Sequence, residues 1–131
     1  ANPMQKLKSL LTAENLAVLQ EEVAATFVHE SVVRYIVELI AGTRNNEYLL
    51  RGASPRATLS ITAMAKAVAR LRDRDYVTPD DVQTLVKPIL AHRLLLTNEA
   101  RISGTTAEQI LDGILSEIPV PPVAGDELNE R

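Results

Sequence analysis

The chain has 131 residues, 46% hydrophobic and 24% charged, which places it in the ordinary globular range with room for one core. A formal net charge of −3 leaves no overall electrostatic footprint for nucleic acid or an anionic membrane, and the absence of cysteine excludes a disulfide framework and thiolate metal sites. With one Phe, three Tyr and no Trp, the core has to be filled by Leu, Ile, Val and Ala, which favours close-packed helices over a β-sandwich. No apolar run approaches bilayer length and no charged-then-apolar leader opens the sequence, so a cytosolic protein with no membrane role is expected.

Residues 1–11, with Asn2-Pro3, Lys6 and Lys8, carry no helix start signal and read as a connector. From Thr12 to Phe27, Leu16, Leu19, Val23 and Phe27 recur at helical spacing opposite Glu14, Gln20, Glu21 and Glu22, predicting a first amphipathic helix. Glu30 and Ser31 open a second, with Val32, Val33, Ile36, Leu39 and Ile40 as its apolar stripe and Gly42 as its stop. Thr43 to Ala53 is a long connection, of the kind that often carries function. A third helix, from Pro55 to about Arg72, is alanine-rich with Leu59, Met64, Val68 and Leu71 between, and its small side chains suit a central position. Tyr76-Val77 reads as a short extended segment with Val28 as its partner.

The fourth helix starts at Thr78 and turns Val82, Leu85, Val86 and Ile89 inward, while Pro88 is expected to bend or break it near its middle. Asn98 to Thr106 reads as loop. A last helix opens at Thr106 and presents Ile110, Leu111, Ile114, Leu115 and Ile118 to the core, until Pro119, Pro121 and Pro122 end it. The expected architecture is all-α: a compact bundle of about five helices over residues 12–121, with one very short two-stranded pairing near Val28 and Val77. Residues 122–131 are expected to form a disordered tail.

Arg56 stands out within Gly52-Ala53-Ser54-Pro55-Arg56-Ala57. Ser54 reads as an N-cap and Pro55 as the first helical residue, so the cation falls in the first turn, facing the positive end of the helix dipole at a cost of about 0.3–1 kcal/mol. Thr78-Pro79-Asp80-Asp81 is an internal control: the same kind of start, followed by acids. Free backbone N–H groups together with a first-turn arginine would suit a phosphate-like anion. The alternative is that Arg56 reaches water or a nearby carboxylate.

Other chemistry is weaker. The sequence holds no GxxxxGK[ST] loop and no strand ending in paired acids, so no catalytic residue is assigned and the chain by itself is not expected to hydrolyse a nucleotide. His29 and His92 lie far apart and suit packing or surface roles rather than a metal site. Arg70, Arg72 and Arg74 alternate with acids and sit at a helix C-terminus, where cations stabilise the dipole, so nucleic-acid contact is not favoured.

Taken together, Gly52–Ala57, the alanine-rich helix, Arg74-Asp75-Tyr76-Val77-Thr78-Pro79-Asp80-Asp81-Val82 and Pro88-Ile89-Leu90-Ala91-His92-Arg93-Leu94 resemble the C-terminal helical lid of MoxR-type AAA+ ATPases, in the family's order and over about Asn2 to Pro121. The resemblance implies that Arg56 is the sensor-two arginine, which reaches the γ-phosphate of ATP. It implies that Gly52, Ala53, Ser54 and Pro55 shape the approach to the nucleotide, with Ser54 as a cap. Thr43 and Arg44 match the pattern of the preceding loop, without an assigned contact. The Walker A loop, Walker B acids, sensor one and arginine finger have no counterpart in these residues, so an excised lid is expected, with magnesium and most ATP contacts on a missing core.

The resemblance further implies a parent that is an ATP-driven chaperone or assembly factor, a hexamer that works with its own AAA+ core, neighbouring subunits and von Willebrand A domain proteins. Two rivals remain: a free-standing helical adaptor with an apolar patch away from Arg56, and a DNA-binding module using Arg70, Arg72 and Arg74.

Overall fold

A computed structural model describes residues 13–122, so the expected connector and the last nine residues of the tail lie outside the described residues. Among the described residues there are six helices, α1 (Ala13–Ala24), α2 (Glu30–Arg44), α3 (Ala57–Leu71), α4 (Pro79–Leu90), α5 (Asn98–Ile102) and α6 (Ala107–Glu117), joined by a 3-10 turn at Ala91–Arg93 and by two short strands, β1 (Leu49–Arg51) and β2 (Leu95–Leu96). The all-α expectation holds. Among the described residues no helix is long and apolar enough to cross a membrane.

The core is built where the apolar periodicities meet. Tyr35, Ile36 and Leu39 of α2, Ile61, Ala65 and Ala69 of α3, Val82, Val86 and Leu90 of α4, and Leu111 of α6 are all essentially inaccessible. Alanines on the buried side of α3 bring that helix close to its neighbours, so it takes the central place. Capping boxes begin α4 and α6. Thr78 accepts from the Asp81 backbone and Asp81 from the Thr78 backbone, and Thr106 and Gln109 repeat the exchange.

Several expectations needed correction. Gly42 does not stop α2, which continues to Arg44. A Cβ at Gly42 would come within 2.9 Å of Ile114 Cγ2, so the glycine permits close contact between α2 and α6. Pro88 does not break α4: it lies in the last turn, and the helix runs on to Leu90. The expected Asn98–Thr106 loop contains α5, capped by the Thr97 hydroxyl and anchored by fully buried Ala100. Its five residues are too few to show helical periodicity.

The pairing expected near Val28 and Val77 is an isolated parallel bridge one residue away, Phe27 with Tyr76, where Phe27 N–H donates to Asp75 and Val77 N–H to Phe27, both at 2.9 Å. A second pairing had no sequence signal: β1 and β2 form an antiparallel ribbon, Leu49 opposite Leu96 and Arg51 opposite Leu95. Not all stripe residues are covered. Leu59 is 73% exposed, and Leu16, Val33 and Met64 are also exposed.

Candidate functional site

The Gly52–Arg56 segment crosses the end of α2 at close range. A Cβ on Gly52 would collide with the Thr43 carbonyl and lie 2.7 Å from the Arg44 nitrogen, so only glycine fits. One residue on, the Ala53 N–H donates to Thr43 Oγ1 at 2.9 Å, and that hydroxyl donates to the Ile40 carbonyl at 2.7 Å. Thr43 and Ala53 are both about 1% exposed, so this bond satisfies a backbone donor with no access to water. The segment that leads to Arg56 is therefore tied to the α2 backbone.

Beyond Ala53 the chain comes to the surface, and Ser54, Pro55 and Arg56 are exposed. Ser54 is not the N-cap expected of it, nor is Pro55 the first helical residue: Ser54 Oγ accepts from Arg56 N–H at 3.2 Å, but the helix begins at Ala57 and Arg56 itself holds the cap position, without a side-chain cap bond. The N–H groups of Ala57, Thr58 and Leu59 donate to the carbonyls of Ser54, Pro55 and Arg56. The free N–H groups anticipated from the sequence are thus consumed in a tight first turn, leaving the Arg56 guanidinium as the anion-seeking group. Among the described residues it forms no ion pair, so the nearby-carboxylate alternative is not realised.

The arginines at and just beyond the end of α3 behave oppositely. Arg70 Nε donates to the Glu22 carbonyl at 2.9 Å and Thr26 Oγ1 at 2.8 Å, bolting the end of α1 to α3. Arg72 bonds Asp80 and Asp81, and Arg74 grips Asp81 with both terminal nitrogens while lying over the Tyr76 ring. Asp81 is wholly buried. Burial pushes its carboxyl up, but the Arg74 guanidinium and the Thr78 N–H outweigh that and hold it below the ordinary carboxylate value. The three arginines that a DNA-binding module would use are each bonded to acceptors of the domain itself, although Arg72 is exposed. His29, by accepting the Ser31 N–H at its Nδ1, serves as the α2 cap.

Beside the Gly52–Pro55 backbone lies an open cleft of about 560 Å³, bordered also by Leu50 and by the arginines 44, 51 and 93. Sequence reasoning matched Arg44 to a pattern without a role and missed Arg51 and Arg93. Arg44 and Arg51 are near one another in sequence, but Arg93 comes from a distant segment, so no local signal marked the three as a group.

With this geometry in view, the family model of the AAA lid domain matches residues 41–114, which hold Thr43, the tight crossing at Gly52, Arg56 and the Asp81 network. The chain belongs to the AAA lid domain family. Its relatives are of the MoxR type: it is 38% identical over 125 residues to Chaperone MoxR1 of Mycobacterium tuberculosis and 37% identical over 121 residues to YeaC, an uncharacterized protein of Bacillus subtilis. Protein MoxR of Paracoccus denitrificans is 29% identical over 113 residues. A crystal structure from Cytophaga hutchinsonii, of a protein assigned as an ATPase, superposes with a TM-score of 0.77 at 32% identity and covers 83% of this chain.

The lid spans only about a third of these proteins, 33% of MoxR1, 38% of YeaC and 36% of the Cytophaga chain. It is a MoxR-type AAA+ lid by sequence and by fold, and its Gly52–Arg56 turn lies inside the family match.

Proposed function

We propose that this lid is the nucleotide-sensing part of an ATP-driven chaperone or assembly machine, in which Arg56 contacts the γ-phosphate of ATP held between the lid and an ATPase core. The observation that carries the reading is the placement of Arg56: an exposed cation without a described partner at the helix end that disfavours it. A guanidinium so placed is free to donate two hydrogen bonds to phosphate oxygens. Ser54 and Pro55 shape the exposed approach, while Gly52 and Ala53 fix the segment to α2. Magnesium and the remaining nucleotide contacts belong, in this reading, to the core.

Arg56 directly precedes α3, the helix at the centre of the bundle, so a force on its side chain acts on the packed domain rather than on a loose loop. Contact made with ATP and lost after hydrolysis would change the tilt of the whole lid. The same reading includes a cytosolic hexamer that couples this tilt to its clients, with a von Willebrand A domain protein as a partner.

The test is ATP turnover by the full-length ATPase bearing this lid, wild type against Arg56→Ala, with nucleotide affinity followed in parallel. A fall of tenfold or more with the fold intact supports the sensor role. Unchanged turnover and affinity would return Arg56 to an ordinary surface arginine and favour the helical adaptor.

A further inference from the structure

The geometry points to α1 as a detachable strap: it docks on the bundle and leaves it as one unit, with Arg70 as the latch that holds it to α3. The inference does not rest on the sensor reading, since it involves neither Arg56 nor a nucleotide.

Burial sets α1 apart from the other long helices. No residue of 14–24 is fully buried, and in its apolar stripe Leu19 and Val23 are half-buried while Leu16 is 39% exposed. None of the three belongs to the hydrophobic core or packs against it. Twelve residues is also a length at which a helix is marginal without tertiary packing. An element that adds so little apolar burial opens locally, at a free energy well below that of the whole domain.

The hold on α1 is polar and sits at one end. Its last turn carries no basic residue of its own to offset the negative end of the helix dipole. Arg70 supplies that charge from the last turn of α3. Its Nε donates to the Glu22 carbonyl, one of the terminal carbonyls that a helix leaves without a partner of its own, and to Thr26 Oγ1. The threonine hydroxyl donates to the same carbonyl at 2.7 Å, and Thr26 is only 4% exposed, so the latch closes over a covered polar group.

Just beyond the latch the chain is pinned separately. Phe27 N–H donates to the Asp75 carbonyl and Val77 N–H to the Phe27 carbonyl, in bonds that involve no residue of α1. The bridge therefore stays closed when the helix leaves, and the hinge falls at Ala25-Thr26. Undocking withdraws the Glu22 carbonyl from Arg70 and costs the core no apolar contact.

Hydrogen exchange of the 131-residue chain, followed residue by residue by NMR, tests the strap in wild type, Arg70→Ala and Arg72→Ala. In wild type the amides of residues 17–24 should share one level of protection, roughly a hundredfold or more below that of the central amides of α3 and α4. Arg70→Ala should lower that level by about tenfold, the worth of a hydrogen bond from a charged donor, and leave the central α3 and α4 amides within about twofold of wild type. Arg70 is not part of the core, so the fold survives the change. Arg72→Ala removes a neighbouring cation that bonds Asp80 and Asp81 instead, and should leave residues 17–24 within about twofold of wild type relative to α4.

The strap is refuted if residues 17–24 exchange as slowly as α4, because α1 then opens only with the whole domain, or if they are unprotected in wild type, because nothing then holds them. The latch is refuted if Arg70→Ala leaves their protection unchanged, if it lowers α1 and α4 alike, or if Arg72→Ala loosens α1 as much as Arg70→Ala does.

Discussion

Thr43 and Ala53, ten residues apart, share a hydrogen bond in which the threonine hydroxyl accepts the buried alanine N–H at 2.9 Å while donating to Ile40 at 2.7 Å. This one side chain decides where the Gly52–Arg56 turn sits relative to α2. Thr43→Val keeps the shape, removes the acceptor and strands the Ala53 N–H away from water, which costs about 1–3 kcal/mol. Equilibrium unfolding in urea should show that loss, with Thr43→Ser recovering most of it. Equal stability of the valine variant would mean that water reaches Ala53 and that the bond does not anchor the turn.

What the sequence made legible was local chemistry. The boxes at Thr78/Asp81 and Thr106/Gln109 need only side chains three residues from the backbone they serve, and both formed. Arg56 was conspicuous for the same reason, since the anomaly depends on its own turn. The hidden features are contacts between distant segments. Nothing around Gly42 announced that Ile114 would press against it, so the glycine looked like a stop. Leu49–Arg51 and Leu95–Leu96 are too short to alternate visibly, and the ribbon they form is what draws Arg51 and Arg93 to the cleft wall that Arg44 also lines. Half of the candidate site was therefore readable, and the half assembled by tertiary pairing was not.

Asp81 should set part of the acid stability of the lid. Its carboxyl titrates below the ordinary 3.8 in the folded state, so between that lowered value and 3.8 the unfolded chain binds more protons and stability rises with pH. The contribution is complete above about pH 5 and is lost as pH falls through the folded value. Asp81→Asn leaves Arg72 and Arg74 without their shared anion and should cost about 3 kcal/mol near neutrality. The decisive comparison is the slope of stability between pH 2 and 5, set by about the same principle: it should be shallower in the variant, and identical slopes would remove Asp81 from the account.

Gly42 offers a cleaner test of packing. Alanine in the middle of a helix is ordinarily favoured over glycine by roughly 0.5–1 kcal/mol, but here the new methyl would meet Ile114 Cγ2 at 2.9 Å inside the α2–α6 contact. Overpacking of this kind costs about 1–3 kcal/mol, so Gly42→Ala should be destabilising despite its better propensity. Ile114→Ala removes the γ-carbons that meet the new methyl, so the double variant should be more stable than the two single effects predict. Strict additivity in that cycle would show that the two helices separate freely at this point.

Arg56 should show the signature of a residue kept for function rather than for folding. It has no ion-pair partner among the described residues, and its charge opposes the dipole of α3, so removing it takes away an unfavourable term of at most about 1 kcal/mol. The melting temperature of Arg56→Ala should therefore be equal to or higher than that of the wild type, with the gain shrinking as salt is added, because screening weakens the same repulsion. A nearby loss of stability cannot then be blamed for reduced turnover in the full-length ATPase. A clear drop in melting temperature at low salt would point the other way, to a structural contact made by Arg56 and to a sensor assignment without its main support.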